Sequence, residues 1–168
     1  MKTDGLCGIE WFKANKELQN ASREKWDVRF LELAKFIASW SKDPSTKTGA
    51  VIVRPNKSVA SVGFNGFPTK LIDSEKDYSN RDVKYSKIIH CEMNALLFAR
   101  EQVTGYTLYT YPLASCERCA VHMIQAGITR CVFPKIPHDQ QERWQDSVNR
   151  TKTYLTEAEV DWREVDFE

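Results

Sequence analysis

The chain predicts an α/β fold: three layers, α/β/α, around a mixed central sheet of about five strands. Three observations carry this. Apolar residues at Trp26, Phe30, Leu33, Ile37 and Trp40 are spaced for one face of a helix. Two β-rich runs flank the turn Arg54-Pro55-Asn56-Lys57-Ser58, which reads as a hairpin. Downstream, strand-like and helix-like patterns alternate to the end of the chain, giving the order helix, strand, strand, helix, strand, helix, strand, helix and a last short strand.

Taken in order, residues 1–22 mix Ile9, Trp11, Phe12 and Leu18 with Lys and Asn without clean periodicity, and read as an N-terminal arm or short helix. Residues 23–168 form the domain, beginning with the 26–40 helix that Asp43-Pro44 ends. Ser41 to Gly49 is a hydroxyl- and cation-rich loop; Ser41, Lys42, Thr46 and Thr48 are its candidates for holding a phosphate. Strands over 50–53 and 59–64 follow, ended by Asn65-Gly66-Phe67-Pro68. Residues 69–87 read as a long charged surface loop. A helix over 92–102 faces Met93, Leu96, Leu97 and Val103 inward, and Gly105 breaks it. A strand at 106–111, a helix at 117–126 capped by Gly127, and a strand at 129–133 come next. A polar helix over 140–158 carries Trp144, Val148, Thr151 and Leu155 on one face, before a strand at 162–165.

Composition narrows the function. The 168 residues are 42% hydrophobic, which suits one core, and no apolar run approaches the ~18 needed to cross a membrane. The start lacks a secretory apolar region, so the expected location is cytoplasmic. Lys plus Arg total 24 against 23 acidic residues, a net charge of +1, which gives no footprint for a polynucleotide or a membrane surface. A small substrate fits better. Five cysteines, two of them in Cys116-Glu117-Arg118-Cys119, favour a metal site over a disulfide framework; Cys131, in an apolar strand, reads as a small buried hydrophobe.

The chemistry concentrates between His90 and Cys119. His90, Cys116 and Cys119 are one imidazole and two thiolates, a soft ligand set for tetrahedral zinc, and three ligands leave a fourth position open. Glu92 is not needed as a ligand, so it is free to move protons between a zinc-activated water and a substrate. The competing reading is Cys116, Cys119 and His122 as part of a structural zinc module, which leaves His90 and Glu92 without a role. His138 reads as solvent-exposed.

His90-Cys91-Glu92 followed by Cys116-x-x-Cys119, each opening a helix, resembles the zinc-dependent cytidine deaminase superfamily. Ser41-Lys42-Asp43-Pro44, Gly49-Ala50-Val51-Ile52-Val53, Gly63-Phe64-Asn65-Gly66-Phe67-Pro68, His90-Cys91-Glu92-Met93-Asn94-Ala95 and Ile124-Gln125-Ala126-Gly127-Ile128 together look like its deoxycytidylate (dCMP) deaminases. The resemblance covers roughly residues 26 to 133 and implies the deaminase three-layer sheet. It also implies hydrolysis of dCMP to dUMP with loss of ammonia, supplying thymidylate synthesis.

By the same resemblance Cys91 offers its backbone N–H to the pyrimidine O2, Ser115 offers its carbonyl to the 4-amino group, and Asn65 meets the sugar hydroxyl. Tyr109 or Tyr111 lines the base pocket, or both are ordinary strand residues. One departure stands out: the family usually has Pro before the first Cys, and this chain has Ser115. A 5-methyl or 5-hydroxymethyl dCMP, or dCTP, is therefore an alternative substrate. Family members carry one catalytic zinc, and some add a structural zinc; no Cys or His lies between Thr48 and Ile89, so a single zinc is expected here. The resemblance further implies a homo-oligomer, hexameric by preference, with dCTP and dTTP as effectors accompanied by Mg2+.

Overall fold

The computed structural model describes residues 8–136, 138 and 141–167. Helix α1 (Gly8–Ala38) leads into β1 (Gly49–Val53) and β2 (Val59–Phe64). Two short helices, α2 (Glu75–Ser79) and α3 (Arg81–Lys87), precede α4 (Cys91–Phe98), β3 (Thr107–Tyr111), α5 (Glu117–Gln125), β4 (Arg130–Pro134), α6 (Gln141–Glu157) and β5 (Asp161–Val165). The five strands form one sheet in the order β2-β1-β3-β4-β5. β1 pairs antiparallel with β2 and β3, while β3, β4 and β5 run parallel, so the sheet is mixed as expected.

Alternation along the strands divides the core in two. Val51, Val53, Tyr109 and Val132 pack with Phe30, Leu31, Ala34 and Ile37 of α1. Ala50, Ile52, Leu108, Cys131 and Phe133 pack with residues of α4, α5 and α6 on the other face. Three layers result.

Register explains where the site forms. Gly49 at the start of β1 pairs with Phe64 at the end of β2 and with Tyr111 at the end of β3. The carboxyl ends of β2 and β3 therefore share one edge of the sheet, and the segments leading to α4 and α5 both leave from it. Two glycines set how closely the layers approach. A Cβ on Gly49 would lie 2.2 Å from the Ala34 carbonyl oxygen, and one on Gly63 would lie 2.3 Å from the Cys91 carbonyl oxygen and 2.4 Å from the Ala95 nitrogen. Gly63 thus seats the first turn of α4 directly on β2.

Several expectations need correction. The 26–40 face begins well at Trp26, but the helix is one 31-residue element from Gly8, and its buried stripe is Asp27, Phe30, Leu31, Ala34, Ile37 and Ala38. Trp40 lies beyond the helix and is 49% exposed. Small residues win over Trp40 because the backbone of α1 must come close to Gly49. Residues 16–25 are exposed on the helix's first half, and Cys7 lies outside the described residues. On α4, Leu97 is exposed and Cys91, Glu92 and Ala95 are buried, because contact with Gly63 turns that face inward.

The 69–87 segment is not a simple loop. Ser74 caps α2 by accepting from the Asp77 N–H, and Asn80 caps α3 by accepting from the Asp82 and Val83 N–H groups. Tyr78 is buried and stacks on Phe67 at 4.2 Å.

On the α1 face, Asp27 is 1% exposed and accepts from both Arg130 Nη groups at 2.7 and 2.8 Å and from the Tyr109 hydroxyl at 3.0 Å. Removing a buried charge's partner leaves the other uncompensated, so Asp27→Ala is expected to cost about 3–5 kcal/mol in urea unfolding. Gly63→Ala forces α4 away from β2 and is expected to cost about 1–3 kcal/mol, with reduced zinc occupancy by metal analysis. A Gly63→Ala protein with unchanged stability and zinc content would contradict this seating.

Candidate active site

His90 is the N-cap of α4 and Cys116 the N-cap of α5, and neither side chain caps its own helix. Both are therefore free to turn toward each other. His90 Nδ1 lies 3.5 Å from Cys116 Sγ and 3.4 Å from Cys119 Sγ, and the three ligand atoms lie within 4.8 Å of one another. Ordinary Zn–N and Zn–S bonds at tetrahedral angles give an N···S edge of about 3.5 Å, so the trio fits one face of a zinc tetrahedron with the ring nitrogen Nδ1 as ligand. Two of the three, His90 and Cys116, line the cleft.

The trio is electrostatically coupled. Hydrogen bonds from Cys119 and then from His90 hold the Cys116 thiol down to about 4, so it is a thiolate. Its bond to that sulfur, and the nearby Glu92 charge, raise His90 to about 9. The Cys116 sulfur and burial push Cys119 up, keeping it a thiol.

Glu92 is 5% exposed, and one carboxylate oxygen, Oε2, accepts from the Cys91 thiol at 3.2 Å. The first intrahelical bond of α4 runs from Asn94 N–H to the His90 carbonyl at 3.0 Å, leaving the Cys91 N–H ahead of it for a ligand. Asp43, Thr46, Thr48, Asn65, Tyr111 and Leu113 line the same cleft with His90, Cys91, Glu92 and Cys116.

Of the residues singled out in the sequence, His90, Cys91, Glu92, Cys116, Asn65, Thr46, Thr48 and Tyr111 meet at this cleft, and Cys119 closes the ligand trio behind it. Ser115 sits buried between two lining residues, and its carbonyl accepts from the Thr151 hydroxyl at 2.8 Å. The Asn65 amide organises the preceding loop, accepting from Thr48 N–H at 2.8 Å and donating to the Thr46 carbonyl at 2.9 Å. Ser41 is buried and donates to the Asn65 carbonyl, so it shapes that loop from behind. Lys42 points elsewhere, drawn to Asp73 at 2.6 Å beside a second cleft under Trp40 and Phe67. Tyr109 faces α1 on the opposite side of the sheet. His122 is exposed, with Nδ1 2.6 Å from the Arg118 carbonyl on its own helix, and stands outside the ligand trio. His138 is exposed.

Among the lining groups that sequence reasoning missed are Lys84, Arg143 and Trp144. Lys84, on α3, is 6% exposed and donates to Asp43 at 3.2 Å and to the Ser45 hydroxyl at 2.9 Å. Arg143 and Trp144 come from α6, with the guanidinium 4.6 Å from the indole centroid. The overlooked signal for Lys84 was Ser74-Glu75-Lys76-Asp77, a capping pattern that starts structure within the charged segment. For Arg143 no local signal exists, because its place depends on how α6 docks.

A family model described as "Cytidine and deoxycytidylate deaminase zinc-binding region" matches residues 24–135. The chain belongs to this family. Among its relatives, the "Uncharacterized deaminase in luxG 3'region" of Aliivibrio fischeri is 39% identical over 144 residues, covering 84% of this chain and 96% of its own. The deoxycytidylate deaminases of Mus musculus and Homo sapiens are 34% and 33% identical over 125 residues, 70% of this chain and of each relative. The fold is shared with the crystal structure of the dCMP deaminase from cyanophage S-TIM5 in complex with dCMP and dUMP, at TM-score 0.64 and 22% identity over 82% of this chain and 94% of that one. As a member of a deaminase family, the chain is a hydrolytic enzyme, and the zinc-binding region of its family spans the His90, Cys116 and Cys119 trio. Arg143 and Trp144 lie beyond the matched segment. Among the described residues, no helix is long and apolar enough to cross a membrane.

Because His90 and Cys119 are protonated and Cys116 is not, zinc uptake at pH 7 is expected to release about two protons per site. Calorimetry in buffers of different ionisation enthalpy counts them. Affinity should rise with pH, more steeply below about 9, where His90 and Cys119 both give up a proton, than above it, where Cys119 alone does. Uptake without proton release would contradict the charge states assigned to the trio.

Proposed function

We propose that this chain deaminates dCMP to dUMP, releasing ammonia, with one zinc ion held by His90, Cys116 and Cys119. The observation that carries the reading is the juxtaposition of a three-ligand trio with a buried carboxylate, Glu92, that is not one of the ligands, in a cleft that also holds cations. The dCMP deaminases among its relatives supply the choice of substrate.

A zinc ion bound there supplies a water activated as a nucleophile near neutral pH. The chain's own groups do the rest. The Cys91 N–H holds the pyrimidine O2, and the Ser115 carbonyl takes the 4-amino group. Glu92 would take a proton from the attacking water and deliver it to N3, which makes C4 electrophilic toward the water oxygen, and would then carry the remaining hydroxyl proton to the amine as the C4–N bond breaks and ammonia leaves. The Thr151 hydroxyl fixes the Ser115 carbonyl, which offsets the absence of proline's fixed φ at that position. Leu113, Trp144 and Val148 form the apolar part of the cleft, where a base would lie.

The phosphate falls to Lys84 and Arg143. Lys84 spends two of its three donors on Asp43 and Ser45, which leaves one for a ligand. Arg143 has no ion pair among the described residues and is presented at the cleft by its contact with Trp144. Thr46 and Thr48 add hydroxyls nearby. The oligomeric assembly and the triphosphate effectors implied by the resemblance belong to the same proposal, and sedimentation with and without dCTP and Mg2+ tests them.

The test is ammonia release by the zinc-loaded protein from dCMP, dCTP, 5-methyl-dCMP, 5-hydroxymethyl-dCMP, CMP and deoxycytidine. Turnover highest on dCMP is expected, and silence across the panel with zinc bound would overturn the reading. Arg143→Ala is expected to raise KM for dCMP about tenfold, with kcat within about twofold and deoxycytidine turnover unchanged.

A further inference from the structure

One hydrogen bond in the wall of the cleft ends on the carboxylate of Glu92. Cys91 Sγ lies 3.2 Å from Glu92 Oε2, and both residues line the cleft. An ionised carboxylate only accepts, so the thiol is the donor in this contact. Cys91 is 2% exposed and Glu92 5% exposed, so the contact is buried.

We propose that the Cys91 side chain is a positioning residue: its S–H holds the Glu92 carboxylate, which faces the substrate cleft, in its working orientation. This rests on the reading of Glu92 as the proton carrier. The backbone of residue 91 can serve the substrate whatever its side chain, so the side chain is free for a second task. Alanine there would leave a buried carboxylate oxygen without this donor. Serine would keep a donor on a shorter arm.

The rival role is packing, since Cys91 also belongs to the core cluster around α4. Packing predicts a loss of stability when the sulfur is removed, with kcat per bound zinc unchanged. Positioning predicts a loss in kcat with KM for dCMP preserved.

The experiment compares zinc-loaded wild type, Cys91→Ala and Cys91→Ser for kcat, KM and zinc content, with the infrared S–H stretch as a second readout. Cys91→Ala is expected to lose about tenfold in kcat, the scale of one hydrogen bond to a charged group, with KM within about twofold and zinc content unchanged; Cys91→Ser is expected to recover most of kcat. Equal kcat in Cys91→Ala and wild type at equal zinc content would overturn the proposal. Where Cys91→Ala fails to fold or to hold zinc, the infrared measurement decides. The Cys91 band, assigned by its loss in Cys91→Ser, is expected at lower frequency in wild type than in Glu92→Ala, and an unshifted band would overturn the proposal. A wild type inactive on dCMP would sink the substrate reading, while the band shift would still report whether the thiol and carboxylate are paired.

Discussion

The structure is organised around one demand: His90, at the start of one helix, must bring a ring nitrogen within 3.4–3.5 Å of two sulfurs at the start of another. That distance is set by metal–ligand bond lengths and tolerates little error. Strand register meets the demand coarsely, by placing the ends of β2 and β3 at one edge across the start of β1. Gly63 refines it by letting the first turn of α4 rest on β2 without an intervening side chain. At the other helix, Glu117 bonds Ser147 and pairs with Arg150 at 3.1 Å, and Thr151 holds the Ser115 carbonyl. These contacts fix the start of α5 against α6. The Gly127 turn, at φ +84, ends α5 with the Ile128 N–H bonded to the Met123 carbonyl.

Two buried charge clusters, one on the α1 face and one in the loop beneath the cleft, have different consequences. Asp27 on α1 is matched by Arg130 and Tyr109 on β4 and β3, so its charge is satisfied internally and clamps the long helix to the sheet. Asp43 is matched by Lys84 and receives the Asn65 amide at 3.4 Å, yet Lys84 keeps donor capacity and lines the cleft. The first cluster is closed and structural. The second is open toward a ligand, which is what a site for an anionic substrate requires.

The clustering of His90, Glu92, Cys116 and Cys119 was legible because it is written in short local spacings: His90-x-Glu92 and Cys116-x-x-Cys119 each fall at a helix start. The sheet was legible because its hairpin and parallel strands carry clear patterns, and α6 showed its buried Val148, Thr151 and Leu155 directly. What failed was any reading that depended on distant packing. Trp40 looked like core by spacing, but α1 turns its small residues inward to reach Gly49. Lys42 looked like a phosphate ligand by composition, but Asp73 claims its ammonium. Lys84 and Arg143 reach the cleft only because α3 folds over it and α6 closes it, and neither motif nor period records that. Asp27, a buried acid on a helix face, was invisible for the same reason: its partner lies on β4, at the far end of the matched segment.

The central claim is that Glu92 carries protons and does not hold the metal. It is tested most directly by measuring zinc content and dCMP turnover together in Glu92→Gln. Full zinc occupancy with turnover reduced by at least about 10²-fold is the predicted result. Loss of zinc in that variant would make Glu92 a ligand, and retained turnover would assign the proton transfer to another group; either would contradict the account.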